Sequence, residues 1–396
     1  MSPGPDRRGG FGRGLLIVLA AGVVIALAAT GLNALIAEEP SSSDQARDAI
    51  EANYFRDVDP DSLESASARG MVQELRRRYD DPFSHYFGPR ALEALNAATS
   101  GQFSGVGLTV TEVKPGLRVA SVLDDSPAQE AEVEQGDLIV AVDGKSIAGK
   151  PADVSAARIK GEPGTEVELR IRPAAGGEER EVTISRAQVR VPAVDGMIRK
   201  VGPPGDRRKV AYVRYATFSE GSHAELRETI ERLYRDGAEG LVLDLRGNRG
   251  GLLNEAVLSA SNFVDSGVIV STASRASGDT DYEAVGGALD PRPTVVLTNR
   301  DTASAAEILA AALDDYGLAT LVGTRTYGKN TVQEILDLPS GGALDLTIGE
   351  YVTSEGESLA GGGIEPAVKA RDDVKTRADE GLDAGFAELE ALLRGQ

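Results

Sequence analysis

Between residues 101 and 189 the chain is cut into short runs of alternating apolar and polar residues. VGLTV, LRVASVL, DLIVAVDG, EVELRIR and EVTISR are each bounded by Gly, Pro or Asp, the pattern of half-buried strands. A helical stretch over 151–160 interrupts them, so residues 99–188 read as a β-rich module. From Val210 the pattern changes. VAYVRYATF, GLVLDL and PTVVLTN are apolar runs of strand length, and they alternate with the helical stretches HAELRETIERLYRDG, LLNEAVLSASNFV and AEILAAALDDYG. Strands alternating with helices predict parallel pairing through crossovers, hence an α/β core over 189–370. Residues 371–396, rich in Ala, Leu, Glu and Asp, predict a terminal helix. Upstream, 38–98 reads as a helical region with a break at Asp80-Asp81-Pro82. Its expected role is structural, in packing or in contact with a second subunit of a homo-oligomer. There is no internal repeat. The fold class expected is therefore α/β, or α+β taken over several domains.

The N-terminus follows another rule. Residues 15–37 (LLIVLAAGVVIALAATGLNALIA) carry no charge and are long enough to cross a bilayer core of about 30 Å as a helix. Arg7, Arg8 and Arg13 precede them and Glu38 and Glu39 follow, which places residues 1–14 in the cytoplasm and the rest of the chain outside it. The expectation is a single-pass protein of the cell membrane. The rival, a cleaved signal peptide, fits less well, because Leu35 would stand at the −3 position where a small residue belongs.

Composition narrows the chemistry. The formal net charge is −20, which opposes binding to nucleic acid. Cysteine is absent, so no disulfide, thiolate metal site or thiol nucleophile is available. The two histidines, His85 and His223, do not form an HExxH pair, so a zinc hydrolase is not indicated. No metal or cofactor is implied.

Four segments could carry chemistry. In DTASAAEI, residues 301–308, Ser304 sits where an apolar strand hands over to a helix. The outward N–H of Ala305 could donate to a developing oxyanion. Alone, a serine there reads as an N-cap. In TYGKNTVQ, residues 326–333, Lys329 lies on a Gly-containing loop, where a lone lysine is ordinarily a solvated charge. As a base it must be desolvated. At its ordinary pKa about one lysine in 2,500 is neutral at pH 7, and lowering the pKa to about 7 costs about 4–5 kcal/mol. In LVLDLRGNRGGLL, residues 241–253, Gly247, Gly250 and Gly251 would let the backbone approach a ligand and supply a second oxyanion donor. In FSGVGLTV, residues 103–110, Gly105, Val106, Gly107 and Leu108 could present successive N–H groups to a C-terminal carboxylate, with the next strand pairing to the peptide.

Together these segments resemble the carboxyl-terminal processing (tail-specific) proteases, over nearly everything from Asp48 to Val368. The resemblance implies a helical N-terminal segment, a PDZ domain, and a serine peptidase core whose fold is similar to crotonase and Clp protease. TASAAEI matches the nucleophile segment, making Ser304 the catalytic serine. YGKNTVQ matches the segment of the base and its supporting glutamine, making these Lys329 and Gln333. LDLRGNRGG matches the oxyanion loop, which assigns the donors to Gly250 and Ala305. SGVGL matches the carboxylate-binding loop of the PDZ domain, and GIEP, residues 363–366, resembles the closing motif. The implied activity is endopeptidase cleavage of proteins with free C-termini. Three positions depart from the pattern. Asn248-Arg249 replaces Asn–Pro, Asn330 replaces a glycine, and Lys160 stands where an arginine is thought to couple the PDZ domain to the active site. A Ser-His-Asp triad would have to recruit His85 or His223, and neither position suits it. The remaining alternatives are a non-catalytic membrane-tethered PDZ scaffold and a crotonase-like acyl-CoA enzyme.

Overall fold

The structure, a computed structural model, describes residues 41–373 and 375–395. The expected membrane helix over 15–37 lies outside the described residues. Among those residues, no helix is long and apolar enough to cross a membrane. The chain divides into two units, the first ending at Arg77 and the second beginning at Arg78.

The first unit is helical, as its spacing predicts. Ser41 and Asp44 form a reciprocal capping box at the start of helix Ser42–Asn53. A second helix, Pro60–Tyr79, follows. Ile50, Tyr54, Phe55 and Met71 stay exposed.

In the second unit, the β module is an antiparallel sheet. Strands Leu108–Val113, Gly116–Val122, Leu138–Val142, Glu166–Arg172 and Arg180–Ser185 pair in that order. Period-two burial is clear in Glu166–Arg172, where Val167, Leu169 and Ile171 point inward. Helix Ala152–Ile159 packs beside strand Leu108–Val113. The chain enters and leaves the module along an antiparallel ribbon, Gln102–Gly105 against Ala187–Arg190.

The α/β core is a six-stranded sheet ordered Val194–Val201, Arg208–Tyr215, Leu241–Asp244, Thr294–Thr298, Thr320–Gly323 and Val368–Lys369. The first pair is antiparallel and the rest are parallel. Helices cover both faces, which is why these strands are continuous apolar runs. Leu241, Leu243 and Val296 pack toward helices Ser222–Arg235, Leu253–Ser261 and Ala305–Asp315. Val242, Val295 and Leu297 pack toward Leu389 and Leu393 of helix Glu380–Arg394.

A second sheet was not foreseen from the pattern. Strands His85–Phe87, Ala343–Thr353, Val268–Ser274 and Gly278–Glu283 form it in that order, and Thr331–Asp337 also pairs with Ala343–Thr353. All of its pairings are antiparallel. His85–Phe87 falls within the region the sequence reads as helical. It is a strand because its partner, Asp345 opposite His85, lies far along the chain, and a three-residue run carries no period of its own.

Candidate active site

The turn before helix Ala305–Asp315 is over-determined. The Thr302 hydroxyl, fully buried, donates to the Leu245 carbonyl (2.9 Å) and accepts the Asn299 amide (3.0 Å). Ser304 follows at the N-cap, as its place in the pattern predicts, but its backbone is unusual. Its φ is +58° and ψ −123°, whereas an N-cap residue normally has extended dihedrals. Such a conformation costs a non-glycine residue about 1–3 kcal/mol and persists only where the surroundings impose it. It leaves Ser304 half-exposed between buried Ala303 and Ala305, and the Ala305 N–H has no acceptor among the described residues.

The surroundings that impose it converge on Glu307, which is fully buried. One carboxylate oxygen accepts the amides of Ser304 (2.9 Å) and Lys329 (3.1 Å). The other accepts the Gly328 amide (2.7 Å) and the Thr326 hydroxyl (2.5 Å). Burial pushes the Glu307 carboxyl above its ordinary pKa, and these four hydrogen bonds hold it back. The loop carrying Lys329 is fixed elsewhere too. The Tyr327 amide donates to the Thr302 carbonyl (2.9 Å), and the Ile364 amide of GIEP donates to the Thr326 hydroxyl (2.7 Å). The Tyr351 hydroxyl donates to the Lys329 carbonyl.

Gly250 lies directly against the candidate nucleophile. With φ at +95°, a Cβ there would stand 2.8 Å from Ser304 Cβ and 2.9 Å from the Ala305 nitrogen. Buried Asn248 ties this loop down. Its side-chain amide donates to the Tyr215 carbonyl (2.8 Å), and its backbone carbonyl accepts the Ala303 amide (3.0 Å). The Gly250 N–H, expected to face an oxyanion, donates in this structure to Asn248 Oδ1 (2.8 Å).

The Lys329 side chain is half-buried. Its ammonium sits 5.0 Å from the centroid of the Phe83 ring. Burial lowers the Lys329 pKa below its ordinary value, against the opposing pull of Asp345, Glu307 and Asp81. Lys329 Nζ has no hydrogen bond among the described residues, to Ser304 Oγ or to any other atom. Gln333 makes no hydrogen bond to the lysine among the described residues. Its side-chain amide donates to the hydroxyls of Thr331 (2.9 Å) and Thr347 (3.2 Å).

Comparisons with known proteins identify the family. Residues 209–370 match peptidase family S41 and residues 118–173 match a PDZ domain. The carboxy-terminal processing protease CtpA of Bacillus subtilis is 31% identical over 365 residues, covering 90% of this chain and 76% of that protein. The carboxyl-terminal-processing protease of Picosynechococcus is 36% identical over 299 residues, covering 74% and 71%. The solved photosystem II D1 C-terminal processing protease is 31% identical, covers 87% of this chain and 97% of its own, and has a TM-score of 0.50. The chain belongs to the carboxy-terminal processing proteases of family S41. It is a serine protease with a PDZ domain, and its α/β fold is the one its sequence implies.

Gly105, Val106 and Gly107 are buried where the ribbon hands over to strand Leu108–Val113. The Val106 and Gly107 carbonyls accept the amides of Ala128 (2.8 Å) and Leu123 (2.9 Å). Their own N–H groups have no acceptor among the described residues. Gly107 has φ +85°, and a Cβ there would stand 2.2 Å from Ser126 Cβ. The Lys160 ammonium lies 5.9 Å from the Phe103 ring centroid, on the ribbon joining the PDZ domain to the protease core.

Neither histidine bonds Ser304. His223 Nδ1 pairs with Glu255 (2.9 Å), and His85 Nδ1 lies 2.5 Å from the Phe83 carbonyl. Among the described residues, no cluster could hold a metal ion. The sequence reading missed Glu307, Phe83, Tyr351 and Asp345. Only Glu307 left a legible signal, since Ser304 with Glu307 three residues on is the spacing of a capping box.

Proposed function

We propose that the protease is a membrane-anchored Ser-Lys endopeptidase acting on the C-terminal regions of proteins outside the cytoplasm. The shared Glu307 carboxylate carries this reading, because it ties the backbones of Ser304 and Lys329 to one oxygen. Neutral Lys329 takes the Ser304 hydroxyl proton, and Oγ attacks the scissile carbonyl. The N–H of Ala305, and that of Gly250 once it leaves Asn248, hold the oxyanion. The protonated lysine then gives its proton to the leaving amine, and water releases the acyl group by the same path reversed. Gln333, with its nitrogen bound to two threonine hydroxyls, offers its carbonyl oxygen to orient the ammonium. The N–H groups of Gly105 through Leu108 take the substrate's terminal carboxylate, and strand Leu108–Val113 pairs with its last residues. The uncharged stretch 15–37, with arginines before it, supports an anchor with the catalytic domain outside the cytoplasm. Association through the exposed apolar residues of the first unit is compatible with a homo-oligomer. The test is to incubate the purified protease with peptides differing only in a free or amidated C-terminus, with Ser304→Ala as control. Cleavage that prefers the free carboxylate and vanishes in Ser304→Ala is expected. Equal cleavage of both peptides removes the PDZ role.

A further inference from the structure

We propose that Asp81 and Phe83, in the loop before strand His85–Phe87, are positioning residues that fix Gln333 and Lys329 relative to each other. The inference rests on the Ser304–Lys329 reading and extends it to a segment that reads, in the sequence, as a structural break.

The argument follows the direction of the protons. One Asp81 oxygen accepts the amides of Phe83 (2.9 Å) and Ser84 (3.2 Å) and the Thr347 hydroxyl (3.1 Å). The other accepts the Ser84 hydroxyl (2.5 Å). The buried Ser84 hydroxyl in turn accepts the Thr347 amide (3.0 Å). A carboxylate is an acceptor only, so Thr347 spends its single hydroxyl proton on Asp81. Its remaining lone pairs can only accept, and they face Gln333 at 3.2 Å. Gln333 must therefore turn its –NH₂ toward Thr347, which leaves its carbonyl oxygen as the end able to accept from the lysine. Asp81 thus selects which way the Gln333 amide faces, through one intervening hydroxyl. Burial alone would raise the Asp81 pKa, but the hydrogen bonds from Ser84, Phe83 and Thr347 outweigh it and keep the carboxyl ionised, as the relay needs.

Asp81 also places the aromatic ring. Its hydrogen bond to the Phe83 amide sets the loop from which that ring reaches the Lys329 ammonium. Purely structural loop closure would need only the two backbone amides. The reach to Thr347 and Gln333, on two strands of the second sheet, goes beyond it.

The charged and titratable groups facing Lys329 come from three elements. Asp345 and Tyr351 lie on strand Ala343–Thr353, Glu307 on helix Ala305–Asp315, and Asp81 on this loop, while His85 stands opposite Asp345. Asp81 adds negative charge to this set and so favours the protonated lysine.

Asp81→Asn keeps an oxygen for the backbone amides and Thr347 but removes the charge, whereas Asp81→Ala removes both. The experiment measures kcat, KM and the pH dependence of kcat/KM on a peptide with a free C-terminus, using the full-length protease. Asp81→Ala is expected to lower kcat on the order of tenfold with KM little changed. Asp81→Asn is expected to recover much of that loss while moving the acid limb of kcat/KM about half a unit toward lower pH. An unchanged kcat in folded Asp81→Ala overturns the proposal, because a role confined to loop closure would lower stability and leave turnover alone, while the limb reports the lost charge. If Asp81→Ala does not fold, Thr347→Val decides: it removes the intervening hydroxyl and keeps Asp81, and an unchanged kcat there overturns the proposal. Lys329→Ala, run alongside, separates the two claims, since activity in that variant would remove the dyad itself.

Discussion

The amides of Ser304 and Lys329 donate to the same oxygen of Glu307, at 2.9 and 3.1 Å. The start of a helix and a distant loop, which carry the proposed nucleophile and base, are thereby held by one buried side chain. Glu307→Gln replaces one acceptor oxygen with an amide that must face two donors. The expected result is a fall in kcat on the order of 100-fold with KM little changed, together with a stability loss of about 1–3 kcal/mol. Steady-state kinetics beside urea unfolding checks both.

Gly250→Ala tests the close approach of the Gly250 loop to Ser304, the proposed nucleophile. The added methyl would fall 2.8 Å from Ser304 Cβ, at a backbone φ of +95°. Turnover should be lost, while binding of a C-terminal peptide to the PDZ domain, followed by fluorescence anisotropy, should persist.

The buried lysine gives a pH prediction. Burial lowers the Lys329 pKa, so the neutral base accumulates below the pH at which a free lysine would lose its proton. The acid limb of kcat/KM should have its midpoint below the pH at which an ordinary lysine loses its proton. Asp345→Asn should move that limb further toward acid, because Asp345 pulls the lysine pKa up. The same shift predicts a trade of stability for activity. With its folded pKa below its unfolded one, the lysine penalises the folded state at low pH, and the penalty fades as pH rises toward the unfolded value. Lys329→Met should therefore be inactive yet melt higher than the wild type at neutral pH, by an amount that shrinks as pH rises.

Arg246 links the oxyanion loop to the C-terminal helix. Its guanidinium binds both oxygens of buried Asp244 (2.9 and 2.8 Å) and reaches Asp379 at the start of helix Glu380–Arg394 (2.6 Å). Arg246→Ala would leave the Asp244 carboxylate buried with only the Tyr212 hydroxyl and the residue 246 amide. Loss of about 3–5 kcal/mol is expected, with faster hydrogen exchange across 380–394. Exchange unchanged in that segment would argue against the link.

The family, its serine-protease activity and most of the fold can be read from the sequence, because strand alternation, the Gly-rich loop and the motifs around Ser304 and Lys329 are local. The second sheet cannot. Its strands pair across most of the second unit, and His85–Phe87 is recognisable only beside Asp345. For the same reason the site's supports were hidden. Phe83 and Asp81 sit far from Lys329 in sequence, and an acidic residue in a helix's first turn, such as Glu307, ordinarily just favours the helix dipole. That Thr331 and Thr347 hold the Gln333 amide was hidden as well, because nothing in the sequence marks Thr347 as its neighbour.

The most direct test of the dyad is Lys329→Ala in the purified protease, assayed by mass spectrometry on a peptide with a free C-terminus, with folding verified by circular dichroism. The account predicts a folded protein with no cleavage, matching Ser304→Ala. Robust cleavage by folded Lys329→Ala would contradict it.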